Sequence, residues 1–410
     1  MKKEITFFTL LVMLFSVANA GGYQINVQGI RQNGMAHVGT GMNIGAQSIF
    51  FNPGALAMMK YKTHLVAGVS GVFANTAFQK AAPSAYTANT DNPMGTPFHF
   101  YGAYKLNEKL SFGLGAFTPY GNTIKWGDDW DGRYLISELS FFALNIQPTV
   151  SYKLTDKLSL GAGLNYYYGS VELNKMLPLY STAGTEGKAT LKGNTTGIGY
   201  TVGAYFQATE KLSIGVMYRS EVEMKIEDGD AAFNVPASVA SNFPDGTKFT
   251  ATLPLPANIN LGVSYQATDK LLFALDINYN FWSTYDSLVF DFTPNTTGLE
   301  DSHNPRLYED AFIFRLGAEY KYCEKLTLRA GAYYDMSPVK DDYLNPETPS
   351  TNQIGLTLGA SVDINSKLSI DASVLYLNGL KRDAKYSPGN FGGTYKSTTI
   401  IPGIGLSYAF

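Results

Sequence analysis

Several features that define common protein classes are scarce in this sequence. A single cysteine, Cys323, excludes an internal disulfide framework, and four scattered histidines without thiol neighbours indicate no metal site. The net charge of -3 is too small to indicate nucleic acid or another strongly charged partner. The N-terminal apolar run, residues 5–17, is shorter than the roughly 20 residues of a membrane-spanning helix. Nothing in the sequence predicts a cofactor.

The first twenty residues have the features of a secretory signal peptide. Lys2 and Lys3 precede the apolar run, and Ala18-Asn19-Ala20 forms a small-residue ending. We therefore predict a signal peptide at 1–20 and a mature chain that begins at Gly21. An N-terminal membrane anchor is the alternative, which the short apolar run disfavours.

Glycine and aromatic residues are abundant in the rest of the chain. The sequence contains 41 glycines, 28 tyrosines and 25 phenylalanines, and no Pro/Ser-rich linker or charge block marks a domain boundary. Six segments share one pattern, in which an aromatic or apolar residue precedes a short polar turn and a Lys-Leu pair opens the next alternating run. These segments lie at 104–110, 152–158, 206–212, 265–271, 320–326 and 362–368.

The six segments predict tight hairpins, because each places a short polar turn between two alternating runs. The intervals between them are long enough to hold two strands and a long loop. Short turns at one end and long loops at the other are typical of outer-membrane barrels, whose short turns face the periplasm. Six turns join twelve strands, and one further strand at each terminus gives fourteen. We therefore predict an all-β fold, a 14-stranded antiparallel transmembrane β-barrel, with its third strand near 109–120 and its seventh near 211–226.

Alternation along the strands indicates which face meets lipid. In the fifth strand, Leu160 and Leu164 share the outer face while Ser159 and Asn165 share the inner face. In the seventh, the apolar residues predict an inward direction for the charged residues Arg219, Glu221, Glu223 and Lys225.

The same alternation places Arg315, Glu319 and Arg329 in the lumen. Charges on the inner wall disfavour a soluble β-sandwich, whose inner faces must be apolar. The last strand alternates up to Phe410, and a terminal phenylalanine resembles the assembly signal of outer-membrane proteins. This end of the chain is therefore expected to meet the barrel assembly machinery.

Residues 21–60 lack strand alternation and are predicted to form a hatch, a plug of short helices inside the barrel of residues 61–410. Asn52 is a suitable N-cap, and Pro53 suits the first turn of a short helix with apolar residues behind it. A disordered periplasmic extension is the alternative, but such tails usually lack this much apolar content.

Several motifs are spread along the chain: the opening at 21–26, Asn52-Pro53, the segments at 126–134, 218–222 and 329–339, Leu253-Pro254 and Trp282. Together they resemble the OmpP1/FadL/TodX family of outer-membrane transporters for long-chain fatty acids and aromatic hydrocarbons, in which Asn52-Pro53 corresponds to the hatch motif. The resemblance covers nearly the whole mature chain. Gly54 stands where the family motif has alanine.

The resemblance implies passive uptake of hydrophobic small molecules, with long-chain fatty acids expected first and hydrocarbons as the alternative. It also implies a buried pocket and a sideways exit at an inward kink of the third strand. In this chain that strand contains Gly113, Gly115 and Pro119, residue types that weaken or interrupt a ladder. The alternative is that these small residues merely face a crowded lumen.

A fatty acid requires an apolar slot for its tail and a basic partner for its carboxylate. For the slot, we expect the alternating hatch residues Tyr23, Ile25 and Val27. For the head group, Lys175 roughly follows the family's placement of a basic residue, and Arg306 is a second candidate before the tenth strand.

Two other classes remain as alternatives. An enzyme would need a nucleophile or carboxylates arranged with a histidine, and none of the histidines lies in a recognisable catalytic motif. A general porin is supported by the charged lumen and opposed by the glycine-rich plug. The expected surroundings are outer-membrane lipid and lipopolysaccharide, with the protein as a monomer in the bacterial outer membrane.

Overall fold

The computed structural model describes residues 22–410, in which fourteen antiparallel strands form the wall of a closed barrel. The predicted signal peptide at 1–20 lies outside the described residues, as does Gly21. The strands are β1 Thr63–Ser70, β2 Phe98–Lys105, β3 Leu110–Lys125, β4 Glu138–Lys153, β5 Leu158–Tyr180, β6 Glu186–Gln207, β7 Leu212–Arg219, β8 Asn258–Gln266, β9 Leu271–Asn280, β10 Ala311–Lys321, β11 Leu326–Asp335, β12 Gln353–Asp363, β13 Leu368–Gly379 and β14 Phe391–Ala409.

Further strand segments extend the wall on the side of the long loops. The longer ones are Phe73–Lys80 after β1, Val222–Asn234 after β7, Lys248–Leu255 before β8 and Ser287–Thr293 after β9. The three shorter ones are Thr87–Asn89, Ser302–Pro305 and Arg382–Tyr386.

The barrel closes where β14 pairs with β1. The ladder runs from His64↔Ala409 to Ser70↔Gly403, and the Phe410 amide donates to the Thr63 carbonyl at 2.9 Å. Closure matters because lipid cannot hydrogen-bond an open edge. The predicted fourteen-stranded barrel is confirmed.

Among residues 22–410, no helix is long and apolar enough to cross a membrane.

In five of the six short turns, one side chain accepts from two backbone amides and holds the turn closed. Asn107 Oδ1 accepts from the Lys109 and Leu110 amides at 2.9 Å, and Thr155 Oγ1 accepts from the amides of 157 and 158 in the same way. Thr209, Thr268 and Asn365 repeat this arrangement in three further turns. The sixth turn has Cys323 at this position, and there the Cys323 amide donates to the Leu326 carbonyl at 3.2 Å. Asn and Thr side chains close turns in this way, which explains why the pattern could be read from the sequence.

These turns predict the orientation of the barrel. In a background that carries Cys323→Ser, cysteine replacing Asn107, Thr155 or Asp269 should resist membrane-impermeant maleimides on intact cells, because short turns face the periplasm. Cysteines introduced within 291–310 should be labelled. Labelling of the turn positions with protection of 291–310 would show that the barrel is inverted.

Apolar side chains cover the outer face of the wall. On β5, Leu160, Leu164 and Tyr166 are exposed, whereas Ser159 and Asn165 on the alternate positions are fully buried. The prediction for this strand is confirmed. Arg315 and Arg329 are also buried inside, as predicted, and pair with polar groups of the lumen.

The prediction for the seventh strand is correct only as far as Arg219. Arg219 is buried in the lumen, but beyond it Val222, Met224 and Ile226 face inward. The charged residues that were expected inside are exposed, namely Glu221, Glu223 and Lys225. The register against β6 changes by one residue between Arg219↔Thr201 and Lys225↔Thr196. The extra residue lies at Ser220, and one extra residue moves every later side chain to the other face.

The N-terminal part of the described chain fills the lumen with short helices. They are the α-helices Ile30–Asn33 and Ser48–Phe51 and the 3₁₀-helices Gly45–Gln47 and Pro53–Met58. The side chains of Ile30, Ile49 and Leu56 are almost completely buried. This enclosed segment is what the sequence predicted as the hatch.

Pairs of glycines on neighbouring strands let the hatch backbone approach the wall. Gly215 of β7 and Gly262 of β8 are register partners. A Cβ atom on Gly215 would lie 1.9 Å from the Thr40 carbonyl oxygen, and one on Gly262 would lie 2.4 Å from the Gly41 amide nitrogen. The other register pairs that meet the hatch backbone or Asn52 are Gly161–Gly203 and Gly317–Gly331. We call these three pairs the glycine pairs.

Polar side chains of the wall fix the hatch further. Asp276 Oδ2 accepts from the Gly39 and Thr40 amides at 2.9 and 3.0 Å. Glu319 accepts from Arg31 of the hatch at 2.9 Å and from Arg329 of the wall at 2.6 Å. Charge-assisted hydrogen bonds of this kind are stronger than neutral ones, so the hatch is held at several points around the barrel.

Candidate ligand-binding site

β3 leaves its regular ladder halfway along the barrel. Its pairing with β4 is regular to Phe117↔Asn145 and resumes at Tyr120↔Ala143, so two residues of β3 stand against one of β4. Pairing with β2 ends at His99↔Phe117. Pro119 lies within the irregular part and has no N–H to donate to a ladder.

The N-terminal peptide, residues 22–27, pairs with the edge of β3 that is left unpaired where the ladder with β2 ends. The Ile25 amide donates to the Pro119 carbonyl at 2.9 Å, and the Gly121 amide donates to the Tyr23 carbonyl at 3.1 Å. Gln24 and Tyr120 form an antiparallel bridge between these bonds. The peptide is therefore a short strand added to β3.

Gly113 and Gly115 lie before this irregular part. A Cβ on Gly113 would lie 2.6 Å from Ile49 Cδ1 of the hatch, and one on Gly115 would lie 3.0 Å from Tyr101 Cδ1. Both glycines therefore make room inside the barrel. Of the three residues expected at a kink, only Pro119 lies at the change of register.

Tyr23 lies in an apolar cavity of about 70 Å³ inside the barrel. Its ring is 5% exposed and contacts Trp282 edge-on, with 4.8 Å between ring centroids. Its hydroxyl donates to the Pro254 carbonyl. Burial raises the pKa of Tyr23 well above its ordinary value, so the hydroxyl remains a donor. The cavity is lined by Phe141, Leu173, Leu191, Met224, Ile226 and Phe249, among others.

The other two hatch residues predicted for the pocket lie elsewhere. Val27 is buried in a separate cluster with Ile313, Tyr333 and Leu375. Ile25 packs against that cluster and borders a second cavity, of about 460 Å³. The structure thus separates Tyr23 from Ile25 and Val27.

The second cavity lies beside the irregular part of β3. It is lined by Tyr120 and Gly121 of β3 and by three successive side chains of β4. Of these, Phe141 is buried inside, whereas Ser140 and Phe142 are exposed on the outer face of the wall. The cavity therefore reaches residues on both faces of β4.

Gln28 anchors the far end of the N-terminal peptide. Its amide N–H donates to His37 Nε2 at 3.2 Å, and its side-chain Nε2 donates to the Thr118 carbonyl at 2.9 Å. The Tyr101 hydroxyl donates to the Gln28 carbonyl, also at 2.9 Å. Burial lowers the pKa of His37 well below its ordinary value, so its ring is neutral and accepts the first of these bonds.

Arg306 lies behind the apolar cavity, in a buried ion pair with Glu347. The Arg306 side chain is 3% exposed, and Glu347 lines the cavity. Arg306 Nη1 also donates to the Tyr386 hydroxyl at 3.3 Å. Burial alone would lower the pKa of Arg306, but the attraction of Glu347 outweighs it and holds this pKa above its ordinary value.

Lys175 lies further out on β5. It follows Val171 and Leu173 on the inner face of that strand, and both of those residues line the cavity. Lys175 interacts electrostatically with Glu347. The two basic residues predicted from the sequence therefore both interact with the carboxylate of Glu347. No sequence pattern had singled out Glu347.

The hatch motif adopts the capped turn that the sequence predicted. Asn52 Oδ1 accepts from the Gly54 amide at 3.0 Å, and Pro53 is the first residue of the 3₁₀-helix. Asn52 Nδ2 donates to the Ala204 carbonyl of β6 at 2.9 Å. A Cβ on Gly54 would lie 2.8 Å from the Gly203 carbonyl oxygen, so at this position the wall favours glycine over the alanine of the family motif.

A closed barrel with an apolar outer face, a fixed hatch and an enclosed apolar cavity defines the class of plugged outer-membrane channels. Residues 11–410 match the family described as outer membrane protein transport protein (OMPP1/FadL/TodX). The chain belongs to this family of outer-membrane transporters for hydrophobic substrates, and its location is the bacterial outer membrane.

Relatives of known name share about a quarter of their residues with this chain. Outer membrane protein P1 of Haemophilus influenzae is 24% identical over 422 residues, which cover 91% of this chain and 89% of the relative. The long-chain fatty acid transport protein of Salmonella typhi is 22% identical and covers 98% of this chain and 97% of its own length.

Solved structures share the fold. A Pseudomonas aeruginosa FadL homologue superposes with a TM-score of 0.81 at 18% identity and covers 95% of this chain and 100% of its own. The Pseudomonas putida toluene transporter TodX superposes with a TM-score of 0.72, also at 18% identity, and covers 96% of this chain and 99% of its own.

Proposed function

We propose that this protein carries hydrophobic small molecules, long-chain fatty acids first, passively across the outer membrane. The observation that carries the proposal is the apolar cavity around Tyr23, with Lys175 and Arg306 near one carboxylate at its side. An acyl chain gains free energy by leaving water for such a lining, at roughly 0.8 kcal/mol per methylene. A carboxylate head group requires a basic partner in the same place.

Aromatic hydrocarbons are the alternative ligands. Tyr23, Phe141, Phe249 and Tyr285 present aromatic rings to the cavity, and rings attract one another edge-to-face or offset. The name of the Pseudomonas putida relative, a toluene transporter, supports this alternative.

The proposed exit is a lateral opening beside β3. Two observations support it, the irregular pairing around Pro119 and the second cavity, whose lining includes both faces of β4. In this mechanism, the N-terminal peptide of residues 22–27 shifts when ligand binds. Ligand can drive the shift only by binding one position of the peptide more tightly than the other.

Tyr23→Ala should reduce hydrophobe uptake about tenfold or more, because one buried aromatic ring typically supplies more than the 1.4 kcal/mol that a tenfold effect requires. The measurement is the initial rate of oleate uptake by cells, normalised to the surface level of the protein. Tyr166→Ala is the matched control, since Tyr166 faces lipid and lies outside both cavities. Equal uptake by the Tyr23→Ala variant and the wild type would contradict a role for this ring.

A reversible cross-link tests the movement itself. Gln24→Cys with Tyr120→Cys, in a Cys323→Ser background, places two thiols on an antiparallel non-hydrogen-bonded pair, whose Cα atoms are about 4.5 Å apart. Oxidation should block uptake and a reductant should restore it. Normal uptake by fully cross-linked protein would exclude a moving peptide.

Two further candidate functions, a general porin and an enzyme, can be tested by separate measurements. A general porin, favoured by charged lumen residues such as Arg315, would carry large steady ion currents in planar bilayers, whereas a hatched channel would be nearly silent. An enzyme would show esterase or peptidase turnover with purified protein, and we propose that this protein shows none.

The remaining expectations concern partners. We propose that the protein is a monomer surrounded by outer-membrane lipid and lipopolysaccharide, and that Phe410 meets the barrel assembly machinery. Phe410 is half exposed at the end of β14, where it is accessible to a partner. Assembly yield of a Phe410 deletion variant and the mass of the purified protein in detergent would test these two points.

A further inference from the structure

The loop between β11 and β12 enters the barrel mouth and brings a carboxylate to the apolar cavity. Within this loop, residues 336–352, Leu344 is fully buried and Glu347 lines the cavity. The loop is held from three sides. Trp126 Nε1 donates to the Pro346 carbonyl at 2.9 Å, Asn122 Nδ2 donates to the Glu347 carbonyl at 2.9 Å, and Arg382 Nη1 donates to the Ser350 carbonyl at 2.9 Å.

The Glu347 carboxylate occupies an unusual position for a loop residue. Its side chain is 8% exposed and pairs with Arg306, which is 3% exposed. Removing two charges from water is costly, so such a pair adds little net stability compared with apolar residues. Its position at the edge of a cavity otherwise lined mainly by apolar residues indicates a role in recognition.

Under the proposed function, Glu347 occupies the position expected for the head group of a fatty acid. A carboxylate at this point has Arg306 behind it, Lys175 within electrostatic range and the apolar lining in front. A bound acid would present the same chemistry, with its tail between apolar side chains of the lining that move apart to admit it and its carboxylate toward the two cations. The carboxylates of Glu347 and of the bound acid cannot bind the same side of the Arg306 guanidinium at the same time.

We propose that Glu347 is a built-in competitor for the carboxylate of the ligand, which must displace it from Arg306 to bind. This inference rests on the proposed function as a fatty acid channel. It makes Glu347 a specificity-determining residue, because a neutral ligand with the same tail gains nothing from the exchange. It also connects ligand arrival to β3, since Asn122, whose side chain holds the displaced segment, belongs to that strand.

Purified protein can be tested with laurate and dodecanol, probes with the same chain length and different charge, at a pH of about 8 where the acid is ionised. Glu347→Gln should raise the affinity for laurate about tenfold, the effect of one charge-assisted hydrogen bond, and leave dodecanol unchanged. Arg306→Gln should weaken the binding of laurate by a similar factor and again leave the affinity for dodecanol unchanged. Glu300→Gln removes an exposed charge from an outer loop and should change neither affinity.

Contrary results would distinguish a failure of the competition by Glu347 from a failure of the proposed function. Unchanged or weaker laurate binding by Glu347→Gln, with dodecanol unaffected, would exclude competition by Glu347. Weaker binding of both probes would assign Glu347 a purely structural role and overturn the inference as well. Binding of neither probe by the wild-type protein would instead overturn the proposed function.

Discussion

Replacing Gly215 and Gly262 together by alanine is expected to displace the hatch and give the protein a steady ion conductance. The two added Cβ atoms would meet Thr40 and Gly41 of the hatch backbone at 1.9 and 2.4 Å. Backbone atoms have no rotamer with which to withdraw, so either the wall or the hatch must move. Overpacking costs about 1–3 kcal/mol per site, so the population with a displaced hatch should rise roughly 30-fold or more.

The measurement is single-channel current in planar bilayers. Gly102→Ala is the matched control, since its Cβ would meet only Leu65 Cδ2 at 3.4 Å, an ordinary contact. Heat-modifiable mobility of the folded barrel on a gel verifies that the variants assemble. A folded double variant as silent as the wild type would show that the hatch tolerates the added atoms and does not depend on the glycine pairs for its position.

Deleting Pro119 is expected to abolish uptake while leaving the barrel assembled. Two residues of β3, Thr118 and Pro119, stand against Leu144 alone, so the deletion restores one-to-one pairing with β4. Phe117 and Tyr120 both face inward, and the deletion keeps them on that face because it leaves one residue between them. The wall would then continue past the second cavity without interruption.

Uptake of oleate should fall to the level of cells without the protein, whereas laurate binding by purified protein should fall much less. Deletion of Glu227 is the matched control, because the pairing of Val222–Asn234 with Lys248–Leu255 contains the same two-against-one irregularity between Ile226 and Gly229. That irregularity lies on a different pair of strands, next to Ile226 and Phe249 of the apolar cavity, so laurate binding by the control variant is measured as well. Full uptake by the Pro119 deletion would exclude a lateral opening at this point.

Local chemistry explains why the barrel could be predicted from the sequence. Asn107 and Thr155 close their turns with neighbouring amides, so each turn is defined within a few residues. Period-two alternation then assigned the faces of β5 correctly. It was wrong after Arg219, because the extra residue at Ser220 is defined by its pairing with β6 and leaves no mark in the pattern of apolar residues.

The site depends on contacts between distant parts of the chain. Arg306 was selected as a basic residue, but its partner Glu347 lies 41 positions away in an irregular loop without periodicity. Tyr23, Ile25 and Val27 alternate in sequence, yet Tyr23 lines the apolar cavity, Ile25 borders the second cavity and Val27 packs in a separate cluster. Abundant glycine was evident from the composition, whereas the role of the glycine pairs depends on where the hatch backbone passes.

The glycine pairs have a consequence for the energy of release. The hatch backbone contacts the wall on β5 to β8, β10 and β11. It therefore closes the barrel on the periplasmic side of the apolar cavity. A twelve-carbon chain that left along the barrel axis would enter periplasmic water, at a cost of roughly 9 kcal/mol if each carbon of its tail contributes about 0.8 kcal/mol. A path through the wall delivers the same chain directly to hydrocarbon, and its apolar surface never becomes hydrated.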